Sequence, residues 1–348
     1  MTDTSLSPAL QALVSNSIVL LLIVGGVLGG RAIRKNDIWR GACSGLFARR
    51  RLSVIVVGLY VLVALADSIS WVGGSAAGED QVAAHEARSL IDRAFAGTKE
   101  KSYSAPFSKT EFYDKSPLRH PKKHWFGTDV LGLDVVYVTL KGAKVALLIG
   151  GLTSLITIPL ALFFGMTAGY FGGKIDDAVF LLVSILASMP GILLLIVLIM
   201  VMGRSTLSVC IALGITSWVG FCRLSRGEAM KLRELDYVAA ARALGASHTK
   251  ILMRHILPNL MHLVVITFVL LFSSLVLAEA TLAWLGIGVD GSWGQMIAAA
   301  KDELSRDPIV WWNIAPAGAA LFFLLLAVNL VGDALRDVLD PRTLGERT

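Results

Sequence analysis

Residues 222–285 read CRLSRGEAMKLRELDYVAAARALGASHTKILMRHILPNLMHLVVITFVLLFSSLVLAEATLAWL. Up to Pro258 the stretch is basic, with Arg223, Arg226, Lys231, Arg233, Arg242, Lys250 and Arg254 set against Glu228, Glu234 and Asp236. From residue 260 to 285 it becomes an apolar block broken only by His262 and Glu279. A block of that length matches the roughly 20 apolar residues that cross a hydrocarbon core about 30 Å thick. Six further blocks lie at 12–30, 52–70, 136–168, 179–202, 207–221 and 312–332. The chain therefore reads as an all-α polytopic membrane protein, six core helices plus one extra N-terminal helix.

Composition agrees. Of 348 residues, 55% are hydrophobic and 17% charged, and the mean hydropathy is +0.68. Soluble domains carry about 25% charged residues and must cover themselves with polar groups. A soluble enzyme, a fibrous protein and a disordered tail are excluded. The net charge of +6 reads as basic cytoplasmic loops, not nucleic-acid affinity. Cys43, Cys210 and Cys222 lack metal spacing and read as free thiols. The first apolar block is followed by Arg31, Arg34 and Lys35, so no cleaved leader is expected.

The positive-inside rule places 31–51, with seven basic residues against Asp37, and 222–258 on the cytoplasmic side. Four blocks separate them, so the two assignments agree. The N-terminus then lies outside, the C-terminus inside, and 71–124 is extracytoplasmic, with a helix-like stretch near 82–96. Block 136–168 is over-long and carries Lys141 and Lys144, so its first turns are expected to form an interfacial helix. Pro159 and Pro190 are expected to kink their helices. Gly150, Gly151, Gly165 and Gly169 permit close helix approach. Trp71, Trp125, Trp284, Trp293, Trp311 and Trp312 read as interfacial anchors. The six histidines are scattered and read as neutral or solvated.

The loop 222–258 has its own grammar. Tyr237, Ala240, Ala241 and Leu244 fall on one face of a helix. Gly245 sits where a helix stops in the left-handed conformation. Ser247 is placed to cap a second helix carrying Ile251, Leu252, His255 and Ile256, and Pro258 is expected to end it. Two short helices meeting at a glycine make a knob suited to docking in another protein's groove.

Ala240-Ala241, Gly245 and then Leu257-Pro258 resemble the EAA loop of binding-protein-dependent ABC importer permeases. GTDVLGLDV at 127–135, AGYFGGKID at 168–176, EATLAWLGIG at 279–288 and NLVGDALRDVLDPR at 329–342 resemble the C-type permease of the dipeptide/oligopeptide/nickel branch. The resemblance covers roughly 125–342 and implies a type I ABC importer transmembrane bundle in a bacterial cytoplasmic (inner) membrane. It divides the chain into 1–51 (extra helix and basic segment), 52–124 (first core helix and extracytoplasmic loop), 125–342 (permease core) and 343–348 (tail).

The resemblance further implies a permease for peptides, paired with a homologous B-type permease and served by two cytoplasmic ATPase subunits and an extracytoplasmic solute-binding protein. The docking residues it marks are Tyr237, Ala239, Ala240, Ala241, Arg242, Leu244, Gly245, Ala246, His255, Leu257 and Pro258. Ala239 stands where the family has the glutamate that names the motif, His255 where many members have isoleucine, and Leu133 where this branch has arginine. No phosphate-binding G-x-x-x-x-G-K-[ST] occurs, so no catalytic residue, cofactor or metal is expected in this chain. ATP and Mg would be bound by the partner ATPases.

Glu279 lines the translocation path or latches two spans; snorkelling or local pairing explains it as well. A secondary transporter or channel not driven by ATPases is the competing class, and it would need ionisable groups at mid-membrane.

Overall fold

The computed structural model describes residues 45–47, 49–72 and 87–339, with isolated positions at 12, 13, 16, 17, 19, 20 and 31. Most of the 12–30 block, Cys43, His85 and the tail from 340 therefore lie outside the described residues. The elements are α1 (Arg51–Ser68), β1 (Ser70–Val72), β2 (Ala87–Ser89), α2 (Leu90–Ala94), α3 (Val135–Phe171), α4 (Gly173–Ser188), α5 (Gly191–Met202), α6 (Thr206–Arg233), α7 (Asp236–Ala243), α8 (His248–Ile251), a π-helical turn (Leu252–Ile256), α9 (Leu257–Trp284), α10 (Trp293–Leu304) and α11 (Ile314–Leu339).

Among the described residues, five helical stretches are long and apolar enough to cross a membrane: α1, α3, α6, the run from His248 to Trp284, and Ile314–Asp337 of α11. The 179–202 block is not a single kinked helix. α4 and α5 meet at 90°, because Met189 and Pro190 both adopt extended backbone. A residue before proline is pushed out of the helical region, so the chain breaks there. Counted as one span, this pair makes six, and four spans still separate the two basic segments.

The chain divides into two compact units. In the first, residues 1–147 and 283–327, β1 pairs antiparallel with β2 in the register Ser70↔Ser89, Trp71↔Arg88 and Val72↔Ala87. Ser89 caps α2 through a capping box with Asp92, which satisfies two otherwise orphaned N–H groups. The helix-like stretch expected at 82–96 is thus a short strand followed by a five-residue helix.

α3 runs unbroken for 37 residues, about 55 Å at 1.5 Å per residue, with no separate interfacial helix. Its lysines do not lie at an interface alone. Lys141 Nζ donates to Asp92 at 2.6 Å, and Lys144 lies 3.4 Å from Asp67. Burial opposes ionisation of Asp92, but Lys141, the Ser89 N–H and the Tyr137 hydroxyl outweigh it and lower its pKa to about 2.

Two tryptophans are core residues here, not anchors. Trp293 and Trp312 are each 2% exposed; their indole N–H groups donate to the Thr139 and Thr128 carbonyls at 2.8 and 3.1 Å. An indole can be buried when its N–H finds an acceptor. Trp71, Trp125, Trp284 and Trp311 are exposed.

The 127–135 motif belongs to this unit. A Cβ on Gly127 would collide with the Ser104 carbonyl oxygen, and its φ is +70°. Asp129 Oδ1 accepts the N–H groups of Leu131 and Leu133 at 2.9 Å. His124, 1% exposed, lies between Asp134 (2.8 Å) and Glu100 (3.4 Å). Burial disfavours its charged form, yet the two carboxylates prevail and raise its pKa above the ordinary histidine value. His124 is therefore neither solvated nor isolated, contrary to the sequence reading.

The second unit, residues 148–282 and 328–348, has an apolar core drawn from α3, α4, α6, α7, α8, the π turn and α9, including Leu162, Met166, Tyr170, Trp218, Phe221, Val238, Ile251, Ile256 and Leu260. Gly165 and Gly169 bring α3 against Ser225 and Ala229 of α6, and Gly150 lies under Phe272. Gly151 meets nothing within 4 Å. Cys210 and Cys222 are buried and free. α6 continues as helix to Arg233, so the first third of the 222–258 stretch extends a spanning helix.

Candidate functional site

The knob begins where α6 gives way to α7. Asp236 occupies the first turn of α7, where a carboxylate complements the helix dipole. At the other end the Ala246 N–H donates to the Ala241 carbonyl at 3.1 Å and the Gly245 N–H to that of Arg242 at 3.0 Å, with Gly245 at φ +76°. These paired bonds around a left-handed residue constitute a Schellman motif. Ala241 and Ala246, the two residues it brings together, both pack on the apolar core. Ser247 then accepts the Lys250 N–H and starts α8.

Pro258 does not end the second helix. The helix passes through a π turn and continues as α9, one run from His248 to Trp284. The Leu257 N–H reaches back five residues to Leu252, which widens the turn just where the proline ring would crowd the preceding carbonyls. Asn259 Nδ2 donates to the His255 carbonyl at 2.6 Å and lies 3.2 Å from the Tyr237 hydroxyl. The knob is thereby continuous with a spanning helix.

Its inner face is clamped. Val238, Ile251 and Ile256 are fully buried, each worth about 1.5–3 kcal/mol relative to exposure. Its outer face is open. Tyr237, Ala239, Ala240, Arg242 and Leu244 are all exposed, and Leu244 is 87% exposed. Leu257 and His255 are half-buried, the latter with its ring 6.0 Å from Tyr237. The face of Tyr237, Ala240 and Leu244 is thus presented outward while Ala241 turns in.

Contacts that the sequence reading did not anticipate hold this arrangement. Tyr170 at the end of α3 meets His248 Nδ1 at 2.9 Å, and the Arg242 guanidinium lies 5.6 Å over its ring. Arg226 grips both oxygens of Asp176. Arg233 donates to the Gly169 carbonyl at 3.1 Å. Gly169, Tyr170 and Asp176 all belong to the 168–176 motif. That motif is the brace of the knob; the sequence marked it only as a stretch resembling the permease branch, with no signal of which partners it would meet.

Glu279 is 4% exposed on α9 and engaged in a polar interaction. Among the described residues no group of three His, Cys, Asp or Glu side chains is gathered to hold a metal.

The family described as "Binding-protein-dependent transport system inner membrane component" matches residues 161–345, a range that contains the whole knob. The oligopeptide transport system permease protein OppC of Bacillus subtilis is 34% identical over 232 residues, 66% of this chain and 74% of that protein. The glutathione transport system permease protein GsiD of Pectobacterium atrosepticum is 34% identical over 69% of this chain and 80% of its own length. A putative peptide transport system permease protein of Brucella suis is 40% identical over 63% and 74%. Among solved structures, a chain of the inward-facing MetNI methionine ABC transporter aligns over 59% of this chain and 97% of its own, with a TM-score of 0.48 and 19% identity.

Proposed function

This chain belongs to the family of inner membrane components of binding-protein-dependent transport systems, and from that premise we propose that it is the coupling permease of an ATP-driven peptide importer. It is a multi-pass protein of the inner membrane. Peptide is the substrate class because relatives at 34–40% identity carry peptide transport in their names. A homologous B-type permease completes the path, and a solute-binding protein delivers substrate from the extracytoplasmic side. Two ATPase subunits hold ATP and Mg on the cytoplasmic side, where this reading also places 222–258 and the C-terminus. Glu279, the acidic side chain of α9, is assigned to the path.

The observation that carries this reading is the contrast between the two faces of the knob. A motor can drive a membrane bundle only through a link that does not give, and can grip only what protrudes. Val238, Ile251 and Ile256 fix the inner face, and the run from His248 to Trp284 joins it to a span without a loop. Leu244 and Tyr237 protrude. When the ATPases close on ATP, displacement of this rim turns α6 and α9 as rigid levers and switches the path between outward and inward access.

The test is reconstitution. The chain with its neighbouring permease, ATPases and binding protein should take up peptide into proteoliposomes only when ATP is supplied. Uptake by this chain alone, driven by an ion gradient, would assign it to the secondary transporters instead.

A further inference from the structure

Ser70 lies just past the end of α1 and opens β1. Facing residues of an antiparallel pair alternate between hydrogen-bonded and non-hydrogen-bonded positions. The Leu90 N–H donates to the Ile69 carbonyl at 3.1 Å across the pair, so the next couple, Ser70 and Ser89, is of the second kind. The backbone N–H and C=O of both serines therefore point away from the opposite strand. On the β2 side the Ser89 N–H is taken locally, by Asp92 Oδ2 at 2.9 Å. On the β1 side the partner comes from 54 positions earlier in the chain. The Ser70 N–H donates to Asn16 Oδ1 at 2.9 Å, and Asn16 Nδ2 donates to the Ser70 carbonyl at 2.7 Å. A side-chain amide offers the same acceptor and donor as a peptide group. Asn16 thus stands where a third strand would pair, and an open strand edge is otherwise a template for another chain.

A second observation places the same helix face on the same strand. Asn16 falls in the apolar block 12–30, whose described positions are helical. Leu13, Asn16, Ser17 and Leu20 recur at i, i+3, i+4 and i+7, one face of a helix. Those four side chains line an open groove together with Ser70, Trp71 and Val72. Unpaired backbone groups at the edge of a bilayer are costly, and an asparagine in an apolar helix is glue when it finds a partner on another element. Each deficit here is met by the other.

We propose that Asn16 is the anchor by which the first apolar block docks on the free edge of β1, as a fixed strut of the first unit with residue 16 held at the same membrane face as Ser70. From Ser70 the link runs on into the spans. β1 pairs with β2, the Ser89 hydroxyl donates to Asp67 of α1 at 2.8 Å, and Asp92 of α2 holds Lys141 of α3. The added block is thereby tied to α1 and α3 at one end. Nothing in this chain of contacts depends on which face is extracytoplasmic, on an ATPase or on peptide, so the anchor stands or falls apart from the transport reading.

Hydrogen–deuterium exchange of the purified full chain, read by mass spectrometry on peptides covering 69–72, follows the Ser70 N–H. In Asn16→Ala this amide should exchange about three- to tenfold faster than in the wild type, while peptides around Val238 of the knob exchange alike in both. Equal exchange of the Ser70 amide in the two proteins would overturn the proposal. Should the variant not reach the membrane, the topology of the otherwise unaltered chain decides. With the three native cysteines replaced, single cysteines at Thr4 and Val72 should react with a membrane-impermeant maleimide from the same side of sealed vesicles. Labelling from opposite sides would put the bilayer between residue 16 and Ser70 and would equally overturn it.

Discussion

In the knob, the groups that set the backbone lie within a few residues of one another: Ala246 reaches back to Ala241, Gly245 to Arg242, and Ser247 forward to Lys250. In the segment 98–134 they come from far along the chain. Tyr103 bonds Glu303, Thr128 is met by Trp312, and Glu100 accepts the N–H groups of Arg119 and His120. The first region is specified by local helix grammar and then pinned to a core. The second has almost no regular secondary structure and is specified by side chains that must find partners up to 200 residues away. Mechanical coupling needs the first kind of construction, since a motif that folds the same way in any context transmits force without rearranging.

Changes that attack local grammar should therefore act on coupling, and changes that attack remote pairing should act on stability. The largest effect is expected from Gly245→Val. Nothing lies within 4 Å of the added Cβ, so the cost is conformational: about 1–2 kcal/mol for a left-handed non-glycine residue, more with β-branching. ATP hydrolysis should persist while uptake falls at least about tenfold, because 1.4 kcal/mol at the turn is already a factor of ten in its population. Side-by-side assays of ATPase and transport on one preparation check this.

Next comes Asp176→Ala, which leaves Arg226 without its carboxylate. The pair is partly solvated, with side chains 18% and 32% exposed, so the loss should fall at about 1–3 kcal/mol, between a surface and a buried ion pair. Uptake per ATP hydrolysed should drop while the chain still assembles with its partners, as size-exclusion chromatography of the complex would show. An unchanged transport ratio would remove the 168–176 brace from the account.

A third change probes the other region. The folded-state pKa of His124 is raised by Asp134 and Glu100. Its stabilisation is thus complete below the unfolded value of about 6.5 and is lost as pH rises through the folded value. Melting temperature should fall over that rise in the wild type, and His124→Gln should flatten the profile. The smallest effect is expected from Ala239→Glu, which restores a charge the family motif carries at an exposed position. It should leave the melting temperature unchanged and alter only the salt dependence of ATPase docking.

The same contrast explains what the sequence revealed. The helix stop at Gly245 and the cap at Ser247 were legible because each depends on neighbours within one or two turns, whereas Ala241, read on one face with Tyr237, Ala240 and Leu244, turns inward onto the core. Pro258 was misread because a π turn upstream lets the helix absorb it, and no propensity rule places such a turn. The break at Pro190 was legible as a disturbance but not in size, since extended backbone at two consecutive residues turns a kink into a right angle. Trp293 and Trp312 have the composition of membrane anchors, and only the carbonyls of Thr139 and Thr128, over 150 positions away, make them core residues. The pairings of Tyr170, Asp176 and Arg226 were missed for the same reason: their partners lie 50 to 78 residues off.

The most direct test of the knob's role is a cysteine placed at Leu244 in a background lacking the native thiols, in membranes that also contain the ATPase subunits. A short bifunctional cross-linker should join this position to an ATPase, and thiol-reactive probes should label it far faster when the ATPases are omitted. Labelling that is equally fast with and without them, and no cross-linked product at the combined mass, would contradict the assignment of this rim as the docking face.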